Sequence, residues 1–295
     1  MRSLALLGLI VGLLVVTAVV SPWASWGVAA IAGHRFDFGR VYHRVFEVLL
    51  VAAFVVGWRR LGLGGPGEIG FTRAGWARQL WSGLGIGFGG LAVGLGVALL
   101  LGGVGFDLRY PPLKTVRKAL LGLVAALLVG VGEEALFRGV LFRRFTRDAG
   151  LVAGGIAVTV VYAGIHGLRR VRLDGAVDVW SGLAYSEALL GRVVAPVNLM
   201  PLFGLFLLGL VLLAARLASS ALWLPIGIHA AWVAVFRVGR LFLDIHPEPR
   251  WLVGTGWPPL VGGATGAIAA AVSAVLLARH AAIGYTSPGE KAWRE

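Results

Sequence analysis

The feature that most constrains the fold is a series of long apolar segments that recur along the whole chain. Eight of them can be delimited, at residues 4–22, 44–58, 82–104, 118–142, 150–167, 200–217, 220–238 and 259–279. The second is the weakest, because Arg44 and Glu47 lie near its start. About 20 apolar residues let an α-helix cross a bilayer, and such a helix satisfies its own backbone hydrogen bonds. The sequence therefore predicts an all-α fold, a polytopic transmembrane bundle of about eight membrane-spanning helices.

The composition excludes the main alternatives. Apolar residues make up 58% of the chain and charged residues only 14%, whereas a soluble domain carries about 25% charged residues. The chain has no cysteine, which excludes disulfides, a thiolate nucleophile and a thiolate metal site. Its net charge of +13 comes from basic residues between apolar segments, so we expect membrane lipid as a partner and no nucleic acid. The 45 glycines suit close helix packing in lipid.

The organisation along the chain is simple. We expect a single transmembrane helical domain over 1–280 and a short polar C-terminal tail over 281–295. The first segment is interpreted as a retained helix rather than a signal peptide, because it is long and no clean cleavage site follows it. The stretch 58–81 mixes Arg and Trp, which predicts an amphipathic piece in the membrane interface. Basic residues are nearly balanced between the two sets of loops, so they do not assign the membrane orientation.

Charged residues inside the fourth segment are the first indication of function. A charge at the bilayer centre costs about 3 kcal/mol, so Glu133, Glu134 and Arg138 need a reason to be there. Glu134 and Arg138 have the i, i+4 spacing at which an acid and a base meet on one helix face. Glu133 points about 100° away and is left without a local counterion. It is therefore a candidate general base, although a purely structural ion-pair network would use the same residues.

Two histidines also lie within apolar segments, His166 at the end of the fifth and His229 in the middle of the seventh. A lone histidine in such a helix is usually a packing residue. At the helical rise of about 1.5 Å per residue, Glu133, His166 and His229 lie about 18, 25 and 15 Å from the same membrane side. The three side chains are therefore expected to share one pocket.

One glutamate and two histidines on three helices permit more than one chemistry. They are able to bind a divalent metal such as zinc with one open position. Alternatively, Glu133 and His166 polarise a water molecule while His229 donates to the developing oxyanion. Both routes end in hydrolysis inside the membrane. A proton relay in a transporter would use the same residue types, but the internal repeats and paired broken helices typical of transporters are not seen.

The motifs resemble those of a known family, the CAAX protease and bacteriocin-processing (CPBP or Abi) intramembrane proteases, which include the type II CAAX prenyl endopeptidases. The family's first motif, Glu-Glu-x-x-x-Arg, is matched in full by Glu133, Glu134 and Arg138. Its second, Phe-x-x-x-His, reads Tyr162 to His166 here.

The third family motif is His-x-x-x-Asn, and here His229 is present but the Asn position is occupied by Val233. A Val side chain cannot donate a hydrogen bond. Three residues are candidate substitutes for the missing donor, as substrate-binding or auxiliary groups: Tyr162, Trp232 and Asn198, the last of which is the only Asn in the chain.

The resemblance implies an intramembrane endopeptidase in which Glu133 and His166 activate water, Glu134 and Arg138 support the site, and His229 stabilises the oxyanion. It implies a glutamate-dependent mechanism without a catalytic metal, although the residues alone do not exclude a divalent metal. The implied partner is a membrane-associated peptide or protein substrate, and the expected location is a multi-pass protein of the bacterial cytoplasmic membrane.

Val233 keeps one alternative open, a catalytically silent relative that acts as a membrane binding or immunity protein. The long, Arg-bearing loop 168–199 is a candidate gate or substrate contact, or else a solvated or lipid-facing loop.

Overall fold

The computed structural model describes residues 2–57, 65–168, 171–173, 175–193, 195–255 and 258–285. The helices are α1 (Arg2–Ala32), α2 (Phe38–Gly57), α3 (Trp76–Leu100), α4 (Pro112–Glu134), α5 (Phe142–Ala149), α6 (Leu151–His166), α7 (Ser181–Val193), α8 (Pro196–Ser219), α9 (Trp223–Val238), α10 (Arg250–Val253) and α11 (Ala264–Tyr285). A π-helix at Ala135–Leu141 joins α4 to α5, and a 3₁₀ turn at Gly239–Leu241 follows α9. The predicted all-α class is confirmed. The expected polar tail falls mostly on residues 286–295, outside the described part of the chain.

Six helical stretches among the described residues are long and apolar enough to cross a membrane: Leu7–Ala32, Trp76–Leu100, Pro112–Ala149, Pro196–Ser219, Trp223–Leu241 and Ala264–Ile283. The chain is therefore an integral, multi-pass membrane protein. The other two of the eight expected segments form helices that do not meet this standard. Helix α6 has only 16 residues, and α2 carries Arg40, Arg44 and Glu47 in its first half.

The stretch that was predicted to lie in the interface is divided. Its residues 58–64 lie outside the described ranges, and Trp76 begins the long helix α3. The turn between them is attached to the start of α9, because the indole of Trp223 donates to the carbonyl of Thr72 over 2.7 Å and packs edge-on against Phe71. The Trp and Arg residues from Trp76 onward are therefore the first turns of a spanning helix.

A short two-stranded sheet, which the sequence did not predict, joins two loops at one end of the bundle. Strand β1 (Val104–Phe106) pairs antiparallel with β2 (Leu243–Ile245). Because β1 follows α3 and β2 follows α9, the pairing brings the ends of these two helices to the same side. An ion pair between Arg109 and Asp244, 3.2 Å long, supports the same junction.

Helix α9 is central to the bundle because glycines let its neighbours approach closely. A Cβ on Gly83 of α3 would lie 2.2 Å from the carbonyl oxygen of Leu224, and one on Gly227 of α9 would lie 2.3 Å from that of Leu80. On the other side, Gly130 of α4 faces α9 at Ile226 and Ala230. Small residues at helix interfaces favour such packing in lipid. Helix α9 is thereby held between α3 and α4.

The long loop after His166 is attached to the first two helices. It contains α7, whose Tyr185 packs against Phe38 and Tyr42 of α2 in a separate apolar cluster. The hydroxyls of Tyr42 and Ser186 hydrogen-bond over 2.7 Å. Apolar loop residues pack on the same cluster: Leu168, Val171, Leu173 and Val177. The loop is thus anchored at its apolar side chains, and its role as a gate or substrate contact stays a prediction.

Candidate active site

The residues singled out from the sequence lie on three helices and the π-helix. Glu133 and Glu134 end α4, and Arg138 lies within the π-helix that follows. His166 is the last residue of α6, and His229 lies near the middle of α9. π-Helical turns are rare and are frequently found at functional sites.

Glu134 and Arg138 form a buried ion pair, as their spacing predicts. Arg138 Nη1 donates to Glu134 Oε1 over 2.9 Å, and the two side chains are 1% and 0% exposed. Arg138 Nη2 also donates to the carbonyl of Gly209 on α8 over 3.1 Å, and the guanidinium lies 4.5 Å from the centre of the Tyr162 ring. Arg138 therefore ties α4 to α8 and α6.

Glu134 has a second partner that the sequence did not reveal. Its Oε1 accepts a hydrogen bond from Nδ1 of His229, 2.8 Å away on α9. The two residues are 95 positions apart, so only the tertiary structure brings them together. Because Arg138 neutralises the carboxylate, Glu134 can act as a fixed acceptor that orients the imidazole of His229.

Glu133 lacks a counterion on its own helix but finds two partners on others. Its Oε2 lies 3.3 Å from Nε2 of His166 and 3.6 Å from Nε2 of His229. Neither contact has hydrogen-bond geometry, and within the described residues this oxygen has no hydrogen-bond partner. Glu133 and His166 remain 30% and 25% exposed, whereas His229 is 2% exposed. The accessible side of the cluster is therefore the side of Glu133 and His166.

The hydrogen bonds of the two histidines indicate where their protons lie. His166 Nδ1 is 2.8 Å from the carbonyl oxygen of Tyr162, which can only accept, so this nitrogen carries hydrogen. His229 Nδ1 likewise donates to the carboxylate of Glu134. In a neutral imidazole of this form Nε2 is an acceptor. Two such nitrogens and the oxygen of Glu133 cannot face one another without a proton between them. The cluster is thus built to hold and pass at least one proton.

The three candidate donors that could replace the missing Asn have different surroundings. The Tyr162 ring contacts His166 and His229, with ring centroids 4.5 and 5.9 Å apart. Trp232 is buried one turn after His229 on α9. The side-chain amide of Asn198 donates to the carbonyl of Arg192 over 2.6 Å, which holds it at the junction of α7 and α8. Val233 is half-buried and offers no donor.

Gly209 is a residue of this region that sequence reasoning missed. Its carbonyl accepts the hydrogen bond from Arg138, and a Cβ there would lie 2.7 Å from Thr159 Cγ2 and 3.2 Å from Tyr162 Cδ1. The absence of a side chain therefore leaves room for Arg138 and Tyr162. A glycine among 45 others gives no signal of this kind in a single sequence.

The donor set was also considered as a metal site. Across the described residues, no group of three His, Asp or Glu side chains has the arrangement of metal ligands. In the cluster, both Nε2 atoms approach the same carboxylate oxygen rather than a common empty point.

Comparison with known proteins gives one match. The family model described as Rce1-like, type II CAAX prenyl endopeptidase, matches residues 115–235. Searches of curated proteins and of solved structures find no match. The matched stretch begins in α4 and ends in α9, so it contains the whole cluster around Glu133. The match therefore confirms that residues 115–235 of this chain resemble the Rce1-like family of type II CAAX prenyl endopeptidases.

Proposed function

We propose that the protein is an intramembrane endopeptidase of the CAAX-protease type that hydrolyses a membrane-associated peptide or protein. One observation carries the proposal: Nε2 of His166 and Nε2 of His229 converge on Glu133 Oε2 within a bundle of apolar helices. A carboxylate and two imidazoles at one point supply a base, a proton carrier and a hydrogen-bond donor. The family match supports the same reaction class.

In this mechanism Glu133 and His166 activate the water. They are the exposed members of the cluster, so water reaches them first. Their contact of 3.3 Å lets them share the proton that the water gives up when its oxygen attacks the carbonyl carbon. The carbonyl π electrons then move to the oxygen, which becomes an oxyanion.

His229 stabilises that oxyanion. Its Nδ1 is occupied by Glu134, so it can donate to substrate only from Nε2. An imidazole that donates from both nitrogens is doubly protonated and positively charged, and the adjacent carboxylate of Glu134 offsets that charge. Arg138 keeps Glu134 in its charged form and in place.

Collapse of the tetrahedral intermediate completes the reaction. The oxyanion reforms the carbonyl, the C–N bond breaks, and the proton taken from water passes from the Glu133–His166 pair to the leaving nitrogen. The products are a carboxylate and an amine, so a water molecule is the only co-reactant.

The setting determines the kind of substrate. Glu133 belongs to α4, whose outer face is apolar and exposed at Leu120, Val124, Leu127 and Leu128. A peptide that reaches this site must therefore be held at or in the membrane. We place the protein in a bacterial cytoplasmic membrane, consistent with the Arg-rich composition.

Terminus-mapping proteomics in the native cell tests the function. Wild-type chain, Glu133→Gln and the control Glu187→Gln, an exposed carboxylate on α7, are expressed at matched levels in a deletion strain. We expect peptide termini that appear with wild type and Glu187→Gln and fall at least 100-fold with Glu133→Gln, because loss of a general base costs about 10²–10⁴ in rate.

Two outcomes would contradict the proposal. If Glu133→Gln produces the same termini as wild type, the cluster is not the catalytic site. If no Glu133-dependent termini exist and the variant still rescues a deletion phenotype, the protein is a silent binding relative. Chelation of divalent metals separates the mechanisms: activity that disappears with a chelator and returns with zinc would replace the glutamate-dependent route by a metal-dependent one.

A further inference from the structure

Trp232 carries a buried hydrogen-bond donor with nothing to bind. The side chain is 1% exposed, and its Nε1 has no acceptor among the residues that the structure describes. Other tryptophans differ, since Trp223 donates to Thr72 and Trp26 to Val177. A buried N–H without an acceptor is destabilising, more so in a membrane bundle that excludes water. Such a group needs a reason, and binding a ligand is one.

The position of Trp232 relates this donor to the reacting atoms. It follows His229 by three residues on α9, so both lie on neighbouring parts of one helix face. Long helical side chains run back toward the N-terminus of their helix. The indole of Trp232 therefore covers the turn that carries His229, and both belong to the part of α9 that is buried.

We propose that Trp232 is a catalytic residue whose indole N–H is the second donor to the carbonyl oxygen of the scissile peptide bond. The inference rests on the proposed function. It answers the difficulty posed by Val233, which has no donor to place beside His229. Of the other candidates, Asn198 already gives its amide hydrogen to Arg192, and Tyr162 meets the cluster through its ring.

The chemical role is electrostatic and moves no proton from the indole. As the water oxygen bonds to the carbonyl carbon, the π electrons shift to the carbonyl oxygen. Trp232 Nε1–H and His229 Nε2–H both donate to that oxygen while it is negative. When the C–N bond breaks, the carbonyl reforms and the indole is released unchanged. A donor that meets its acceptor only when substrate is bound stabilises the transition state without first losing a protein partner.

The test uses the full chain in lipid nanodiscs and a synthetic peptide that spans a Glu133-dependent cleavage site. Trp232→Phe is compared with Trp223→Phe, which removes an indole N–H that already has an acceptor. We expect Trp232→Phe to lower kcat by about 10²–10³-fold with KM within twofold of wild type. Trp223→Phe should lower the melting temperature and leave kcat within threefold. Full kcat in Trp232→Phe would overturn the proposal.

A gain-of-donor variant keeps the test decisive even if Trp232→Phe does not fold. Val233→Asn in the wild-type chain should change kcat less than threefold, because the second donor is already present. The same change in Trp232→Phe should restore kcat at least tenfold. A rise of 100-fold or more from Val233→Asn alone would mean that the position was empty, and would refute the role of Trp232.

Glu133→Gln in the same preparation distinguishes the two failures. If it is inactive while Trp232→Phe is fully active, only the role of Trp232 is wrong. If it is as active as wild type, the proposed function itself is wrong.

Discussion

Removal of the Arg138 guanidinium should destabilise the bundle more than any other single loss of charge. Arg138→Met breaks the 2.9 Å bond to Glu134 and the 3.1 Å bond to the Gly209 carbonyl, and removes the cation from the Tyr162 ring. Glu134, with a side chain 0% exposed, is left charged beside His229 alone. Breaking a buried pair by deleting one partner costs about 3–5 kcal/mol. We expect a loss of that size in the free energy of unfolding.

The assay is equilibrium unfolding in detergent, followed by intrinsic fluorescence from the 11 tryptophans. Glu134→Gln alone should show a similar loss, because it leaves the guanidinium buried without its carboxylate. The double variant Glu134→Gln/Arg138→Met should lose at least about 2 kcal/mol less than the sum of the two single losses, since no uncompensated charge remains. Arg143→Met is the control, because Arg143 pairs with Glu68 at the surface and should cost no more than about 1 kcal/mol.

Two results would refute this reasoning. A loss of less than about 1 kcal/mol in Arg138→Met would mean that the pair is solvated rather than buried. Strictly additive losses in the double variant would mean that Glu134 and Arg138 act independently, which their 2.9 Å contact does not allow.

Two further predictions follow from local geometry. Gly209→Ala should reduce proteolysis at least tenfold, because the new Cβ would meet Thr159 Cγ2 at 2.7 Å and a misplacement of about 1 Å can cost 100-fold; Thr159→Ser removes that methyl and should restore activity to the double variant, and a double variant as inactive as Gly209→Ala would contradict the steric cause. The hydrogen bond from the Ser181 hydroxyl holds the pKa of Asp178 below its usual value, so its support for the start of α7 should be present at neutral pH and fall away as the pH drops through that lowered pKa; carboxyl NMR titration should show the pKa rise in Ser181→Ala, and an unchanged pKa would count against the assigned cause.

Local geometry made part of the candidate site predictable. The pairing of Glu134 with Arg138 depends only on i, i+4 spacing within one chain segment. The helical rise also placed Glu133, His166 and His229 at compatible depths, and the structure brings their side chains together. Both inferences use one dimension, the helix axis, which a sequence determines well.

The parts that the sequence did not reveal depend on how helices pack around one another. The bond between Glu134 and His229 requires the rotation of α9 against α4, for which spacing carries no information. The role of Gly209 requires the approach of α6 and α8. The count of eight spans differed for a simpler reason: α6 is short, and α2 has charges on its first turns.

The adjacency of the two glutamates explains why the site has one fixed and one reactive carboxylate. Successive helical residues point about 100° apart, so neighbouring side chains enter different surroundings. Glu134 points to Arg138 and is closed off, whereas Glu133 points to the accessible side and to Nε2 of His166. His229 joins the two, because its Nδ1 bonds Glu134 and its Nε2 lies 3.6 Å from Glu133. A change that displaces the fixed carboxylate must therefore also move the imidazole that faces the reactive one, so stability and catalysis share this contact.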